Sequence, residues 1–134
     1  MIDDERAPHI LVLNDTQEVL AQFNEILTSA GFQVTTGEKL YETIDDLVVI
    51  GPELLILDFM WAGDRTGWDY LLSLRDDPRT RSLPVILCTT DGPQLRALRR
   101  QFLKMDVSLV LKPFVREELL AVIRHKLDFA LPSA

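Results

Sequence analysis

The sequence predicts an α/β protein with a doubly wound, parallel five-stranded sheet. Five short strand-like segments alternate with five helix-like segments along the chain, and three apolar runs end directly in acidic or lysine residues. Parallel strands need a crossover connection, which is usually a helix, so repeated strand–helix units favour a parallel sheet with helices on both faces. Because the strands are parallel, all their carboxyl ends lie at one edge of the sheet, where ligands bind in such folds.

The first four elements are predicted from the spacing of apolar residues, which are continuous in a buried strand and recur every three or four positions in a helix. Residues 9–13 form an apolar run that predicts a strand, and residues 16–29 carry apolar side chains at helical spacing. Gly31 follows this helix and is expected to cap it, because glycine adopts a left-handed backbone without strain. A short second strand is expected over residues 32–35, and a second helix over residues 39–49 ends at a Gly-Pro pair.

The third apolar run covers residues 54–58 and begins with four consecutive aliphatic residues, which is typical of a strand buried on both faces. A helix is expected over residues 67–75, and a polar turn that contains proline separates it from a strand over residues 84–89. The fourth helix is expected over residues 92–104, with four apolar side chains directed inward. These four are Leu95, Leu98, Phe102 and Leu103.

The last strand is expected over residues 108–111 and the last helix over residues 114–129. The chain has 134 residues and shows no internal repeat, low-complexity stretch or linker. Residues 1–134 are therefore expected to form one domain, with a core that covers residues 8–130.

Composition excludes several classes of protein. The chain has 21 acidic and 14 basic residues and a net charge of -7, which argues against a nucleic-acid partner, because such proteins carry a basic face. Cys88, the single cysteine, lies in an apolar run and is expected to be a buried thiol. No apolar run is long enough to span a membrane, and the acidic N-terminus lacks a signal region, so the cytoplasm is the expected location.

Polar residues with complementary chemistry follow the predicted strands. Asp15, Asp58, Thr89 and Lys112 each stand at a strand end, so the topology should bring them to one site. Carboxylates suit Mg²⁺, and a lysine adds a compact positive charge. A carboxylate that attacks a phosphoryl group needs such cations, because two anions must approach each other. The set therefore favours phosphoryl chemistry.

Four segments in this order resemble the receiver domain of two-component response regulators, and the resemblance covers nearly the whole chain. The segments are ILVLND at residues 10–15, LLILD at 54–58, PVILCT at 84–89 and LKPF at 111–114. The resemblance implies the flavodoxin-like (βα)5 fold with strand order 2-1-3-4-5. It also implies a cis peptide before Pro113.

Carried over residue by residue, the resemblance implies roles for five residues. Asp58 would take a phosphoryl group from the phosphohistidine of a histidine kinase or phosphotransfer protein. Asp15 would bind Mg²⁺ directly, and the Asp58 carboxylate and the Met60 backbone carbonyl would complete the protein's share of the coordination. Thr89 would donate a hydrogen bond to the phosphoryl oxygens, and Lys112 would pair with them.

Four positions depart from the family pattern. Asn14 stands where most receivers have an acid; its amide can orient a metal-bound water but brings no charge, so weaker Mg²⁺ binding and slower phosphorylation are expected. Leu109 stands where a switch aromatic is usual, which puts the usual output coupling in doubt. Trp61 would overhang the site, anchor a partner or pack against the next helix, and Thr90 would narrow access to Asp58.

The fourth helix carries a basic run of Arg96, Arg99, Arg100 and Lys104. Such a run is usually a solvated face. The resemblance, however, implies that the fourth helix, fifth strand and fifth helix form an output surface for a downstream protein target and a surface for homodimers. On an acidic chain, a basic patch there would suit an acidic partner.

The sequence thus predicts a stand-alone receiver, since only one helix follows Lys112. It would be a signalling switch with self-directed catalysis and slow autodephosphorylation, not an enzyme that acts on other molecules. The alternative is a pseudo-receiver that binds a partner without phosphorylation, which Asn14 and Leu109 favour. An aspartate-based phosphatase is disfavoured because Met60 occupies the position of the expected second acid. A flavin-binding module lacks its phosphate loop after the first strand.

Overall fold

The structure, a computed structural model, describes residues 7–39, 43–58, 66–90 and 92–130. All five strands are parallel and form one sheet in the order β2-β1-β3-β4-β5, which confirms the predicted fold and strand order. The strands are β1 (His9–Asn14), β2 (Gln33–Gly37), β3 (Leu54–Asp58), β4 (Val85–Thr90) and β5 (Val107–Lys112). The helices are α1 (Gln17–Ser29), α2 (Ile44–Ile50), α3 (Thr66–Asp76), α4 (Pro93–Lys104) and α5 (Arg116–Ala130).

Alternate residues of each strand pack on opposite faces of the sheet, as the two-residue period of a strand requires. Ile10 and Val12 of β1 lie in one buried cluster with side chains of α1 and α5. Leu11 and Leu13 lie in a second cluster with side chains of α2, α3 and α4. Cys88 is buried in the first cluster, as expected for a thiol in an apolar run. The sheet therefore lies between two apolar layers.

Gly31 ends α1 in the predicted way. Its φ is 96°, which favours glycine over residues with a side chain. The Gly31 amide donates to the Thr28 carbonyl at 3.0 Å, and the Phe32 amide donates to the Leu27 carbonyl at 3.1 Å. This pair of hydrogen bonds is the Schellman pattern, and it turns the chain directly into β2.

Two predicted helix starts are wrong, and local capping explains both. α2 begins at Ile44 rather than at residue 39, because Thr43 has an extended backbone and its hydroxyl accepts the Asp46 amide at 3.3 Å. α5 begins at Arg116 rather than at residue 114. The Val115 amide donates to the Glu118 carboxylate at 3.3 Å, which is half of a capping box.

Arg75 joins two turns at the edge of the sheet opposite the predicted site. Its guanidinium donates to five backbone carbonyls, and burial lowers the pKa of Arg75 although Asp106 partly offsets this effect. The acceptors are the carbonyls of Thr80, Arg81, Leu83, Met105 and Asp106. One side chain thereby fixes the turn before β4 against the turn before β5.

Within the described ranges, no helix is both long enough and apolar enough to cross a bilayer.

Candidate functional site

The carboxyl ends of β1 and β3 lie side by side at one edge of the sheet. Asn14 and Asp58 are register partners on these parallel strands, so their backbones are about 5 Å apart. The backbone of Asp58 ends β3, between β1 on one side and β4 on the other. Met60 and Trp61 lie outside the described residues. The predicted phosphoacceptor thus ends a central strand at the predicted edge.

Asn14 is the last residue of β1 and is more buried than Asp15, which follows it. It is 4% exposed, and its side-chain oxygen accepts the Thr16 amide at 2.6 Å. This bond forms an Asx-turn, in which the side-chain oxygen of an Asn or Asp accepts the backbone amide two residues later in the chain. Asn14 therefore guides the chain from β1 into α1 at the position where the resemblance expects an acid.

Asp15 is the acid that follows Asn14, and it is exposed. Its carboxylate accepts a hydrogen bond from the Thr16 hydroxyl at 3.2 Å. An exposed carboxylate at the mouth of the strand edge keeps oxygen lone pairs for a hard cation, and Mg²⁺ prefers one or two carboxylates together with water. The chemistry of Asp15, with Asp58 on the neighbouring strand, fits the predicted magnesium site.

The other side of the edge carries the predicted hydroxyl and the predicted lysine. Thr89 is 7% exposed, and its hydroxyl makes a long 3.5 Å contact to the Thr90 carbonyl. Thr90 is exposed and is the register partner of Lys112 on β5. Lys112 is half-buried, and the peptide bond from it to Pro113 is cis, as the resemblance implied. The strand ends thus place Thr89 and Lys112 on neighbouring strands at the same edge.

Leu109, at the expected switch position, packs partly against the core cluster beneath α4. The same cluster contains Trp68 of α3 and Phe102 of α4, whose rings make an edge-to-face contact with centroids 5.5 Å apart. Leu109 also lines a surface groove between α4, β5 and α5. It therefore lies between the core and the predicted output surface.

Leu103 was predicted to face inward, and this prediction is wrong, since the side chain is 68% exposed. Its neighbour Phe102 is 1% exposed and takes the inward position. Successive residues on a helix are about 100° apart, so one narrow contact with the sheet accommodates only one of the two. Phe102 lies seven residues after Leu95, which is about two helical turns, so the two side chains share one face of α4. The sequence therefore already favoured Phe102 over Leu103 as the inward residue.

Comparisons with known proteins agree with this geometry. A family model described as "Response regulator receiver domain" matches residues 10–124. The phosphate regulon transcriptional regulatory protein PhoB of Rhizobium meliloti is 35% identical over 128 residues, which cover 94% of this chain and 55% of that protein. PhoB of Escherichia coli is 29% identical and is also covered over 55% of its length, so this chain spans about half of these relatives.

Solved structures share the fold. The signal receiver domain of a histidine kinase from Syntrophus aciditrophicus has a TM-score of 0.80 and 22% identity, with 96% of each chain covered. The chemotaxis response regulator CheY4 of Vibrio cholerae has a TM-score of 0.73 and 17% identity, with 90% of this chain and 98% of that chain covered. At these identities the likeness concerns the fold alone.

Proposed function

Because this chain belongs to the response regulator receiver domain family of two-component signalling, we propose that it is a phosphorylation switch with Asp58 as the phosphoacceptor. Receiver domains interact with histidine kinases or phosphotransfer proteins and generally bind Mg²⁺ at the phosphorylation site. The observation that carries the proposal is the arrangement of strand ends. Asp58 ends the central strand β3, β1 with Asn14 and Asp15 adjoins it on one side, and β4 adjoins it on the other.

The proposed reaction is a displacement at phosphorus. An Asp58 carboxylate oxygen forms a bond to the phosphorus of a phosphohistidine, the phosphorus–nitrogen bond breaks, and the imidazole leaves with the electron pair. Asp15, the Asp58 carboxylate and the Met60 carbonyl would hold Mg²⁺, which neutralises charge on the phosphoryl oxygens when it is bound. Lys112 adds a second positive charge, and the Thr89 hydroxyl donates a hydrogen bond to a phosphoryl oxygen.

Two structural details support these roles. The Thr89 hydroxyl has a 3.5 Å contact, which is weak for a hydroxyl donor, so moving it toward a phosphoryl oxygen costs little. Asp15 is exposed at the edge and needs no rearrangement to meet a cation from solvent. The acyl phosphate on Asp58 would be lost slowly to water, so the chain acts on itself and not on other molecules as an enzyme does.

The direct test is intact mass after incubation with Mg²⁺ and acetyl phosphate. The wild-type chain is expected to gain one phosphoryl group, and Asp58→Asn is expected to gain none. Asp76→Asn is the matched control, because it removes an exposed acid from the end of α3, away from the site. A gain that persists in Asp58→Asn, or no gain in the wild type, contradicts the proposal.

A second candidate is a pseudo-receiver adaptor that binds a partner without phosphorylation. Asn14 favours it, because the amide brings no charge to the metal site and its oxygen already accepts the Thr16 amide. A chain with no mass gain and no response of its tryptophan fluorescence to Mg²⁺ or beryllofluoride would be such an adaptor. We favour the switch because Asp15, Asp58, Thr89 and Lys112 are all present.

The output surface of the switch is proposed to be the face of α4, β5 and α5, where Leu109 joins the core to the groove. A downstream protein target would bind there, in the cytoplasm. The prediction of a stand-alone receiver stays a prediction, because the chain spans only 55% of the PhoB relatives.

A further inference from the structure

Glu38 is a further carboxylate at the sheet edge that carries the proposed magnesium site. It directly follows β2, whose last residue, Gly37, is the register partner of Leu13 in β1. One residue beyond this pair, Glu38 stands at about the level of Asn14, on the side of β1 away from Asp58. Neighbouring strands are about 4.8 Å apart, so the backbones of Glu38 and Asp58 are about 10 Å apart.

A hydrogen bond holds the Glu38 carboxylate beside the start of α1. The side-chain amide of Gln17 donates to the Oε2 oxygen of Glu38 at 2.7 Å. Gln17 is the first residue of α1 and comes two residues after Asp15, the proposed metal ligand. Both Gln17 and Glu38 are exposed, and the ion pairs found among the described residues do not include Glu38. The negative charge of Glu38 is thus anchored next to the connection from β1 to α1.

An uncharged residue separates Glu38 from the predicted phosphoacceptor. Asn14 ends β1 between Glu38 and Asp58, and its amide brings no charge where the resemblance expects an acid. Among the described residues, no three acidic, histidine or cysteine side chains are close enough to hold a metal ion together, so Glu38 is not a direct ligand. A carboxylate about 10 Å from a divalent cation nevertheless attracts it, because Coulomb attraction falls only as the inverse of the distance.

We propose that Glu38, held in place by Gln17, supplies part of the negative potential that Asn14 does not provide at the magnesium site. Glu38 touches neither the cation nor the phosphoryl group, and its role is to attract the cation that Asp15 and Asp58 would bind. The inference deepens the proposed function and rests on it for the identity of the site. The hydrogen bond to Gln17 and the position next to β1 are features of the structure itself.

The test measures the affinity of the unphosphorylated chain for Mn²⁺ by electron paramagnetic resonance, and for Mg²⁺ by competition with Mn²⁺. Glu38→Gln removes the charge but keeps a side-chain oxygen that can accept the Gln17 amide. At about 0.1 M KCl, we expect Glu38→Gln to weaken binding of both ions about threefold, since a charge about 10 Å from a divalent cation is only partly screened.

The matched control is Glu25→Gln, which makes the same change at an exposed residue of α1. Glu25 lies two turns farther along the helix than Gln17, which is about 12 Å along the helix axis. Because this distance exceeds the Debye length of about 10 Å at about 0.1 M salt, the affinity should stay within about 1.3-fold of the wild type.

Ionic strength separates an effect of charge from an effect on the local structure. At about 1 M KCl the Debye length falls to about 3 Å, so the difference between wild type and Glu38→Gln should fall below about 1.3-fold. Gln17→Leu keeps the Glu38 charge and removes the hydrogen bond, so it should weaken binding less than Glu38→Gln does. Asn14→Asp/Glu38→Gln should bind at least as tightly as the wild type, because its new charge lies closer to the cation.

Three results would overturn the inference while the proposed function stands. These are an unchanged affinity in Glu38→Gln, a loss of equal size at both salt concentrations, and a loss in Gln17→Leu or Glu25→Gln as large as that in Glu38→Gln.

Phosphorylation is measured separately by intact mass. A chain whose affinity for Mn²⁺ depends on Glu38 as expected, but which gains no phosphoryl group, supports the inference and refutes only the switch. A chain that binds neither ion, even as Asn14→Asp, refutes the magnesium site and this inference together.

Discussion

At the scale of single residues, we expect Asn14 to limit how strongly the proposed magnesium site attracts a cation. It is the register partner of Asp58, and its side-chain oxygen accepts the Thr16 amide. An aspartate in its place can accept the same amide and also adds a negative charge on the strand next to Asp58, where Mg²⁺ would bind. The resemblance alone identified Asn14 as a departure from the family pattern. The Asx-turn could not be predicted from the sequence, because it depends on the position of the Thr16 amide in the structure.

We expect Asn14→Asp to tighten Mg²⁺ binding about tenfold, because the added charge lies close to the cation at a partly buried strand end. Titration of the tryptophan fluorescence with Mg²⁺ measures the change. Asn24→Asp makes the same substitution on the exposed face of α1, and it should leave the affinity unchanged within error. An affinity of Asn14→Asp equal to that of the wild type would show that the amide does not limit metal binding.

A second residue-scale effect concerns Asp77, in the turn after α3. Its carboxylate accepts hydrogen bonds from the Arg79 side chain and from the Arg79 backbone amide at 2.8 Å, and Arg79 also contacts Asp45 at 2.6 Å. These hydrogen bonds with Arg79 lower the pKa of Asp77 from its ordinary value of 3.8 to about 2. The folded state therefore holds the ionised carboxylate more strongly than the unfolded state does.

The contribution of Asp77 to stability is present above the unfolded pKa and is lost as pH falls through the folded pKa. Wild type and Asp77→Asn should therefore differ by a constant free energy of unfolding above about pH 5, and the difference should shrink between about pH 4 and pH 2. Urea unfolding at a series of pH values measures it. A difference that stays constant down to about pH 2 would contradict the assigned interaction with Arg79.

At the scale of elements, most boundaries follow from hydrophobic spacing, and the exceptions follow from capping. The strands begin and end within two residues of their predicted positions, because β1, β3 and β4 are buried apolar runs with polar ends and glycines or turns mark the other boundaries. The predicted start of α2 was too early, because apolar spacing alone does not locate an N-cap. In the structure the Thr43 hydroxyl accepts a backbone amide of the first turn and the helix begins at Ile44. Leu103 shows the same limit, since adjacent apolar residues do not say which one faces the core.

The hydrogen bonds of Arg75 are the clearest feature at this scale that the sequence did not predict. A lone arginine near the end of a helix gives no periodic signal, yet its guanidinium donates to carbonyls in two turns. We expect Arg75→Met to lower the free energy of unfolding by about 2–4 kcal/mol, because it leaves partly buried carbonyls without their donor. Urea denaturation measures the loss.

The matched control for Arg75 is Arg81→Met. Arg81 is exposed, and its contact with Arg75 uses the backbone carbonyl, which the substitution retains. Its effect should stay within about 0.5 kcal/mol. Equal stabilities of Arg75→Met and Arg81→Met would mean that the two turns are held together by other contacts.

At the scale of the whole molecule, the fold was predictable because the order of the elements, the apolar patterns and the polar strand ends all indicate the same architecture. Five strand–helix units, a β3 that is apolar up to Asp58 and polar strand ends all favour the same parallel sheet. The sheet edge was predictable for the same reason, since parallel strands bring their carboxyl ends, with Asp58, Thr89, Lys112 and the Asp15 that follows β1, to one edge whatever their separation in sequence. The groove was not predictable, because it depends on how α4 is rotated against β5 and α5.

The identity of the phosphoacceptor is the central claim, and the most direct measurement is chemical mapping of the acyl phosphate. The chain is incubated with Mg²⁺ and acetyl phosphate and then reduced with borohydride, which converts a phosphorylated aspartate to homoserine. Peptide mass spectrometry then locates the conversion. We predict homoserine at position 58 and at no other aspartate. Conversion at a different aspartate, or none at position 58 under conditions that phosphorylate another receiver domain, would contradict the account.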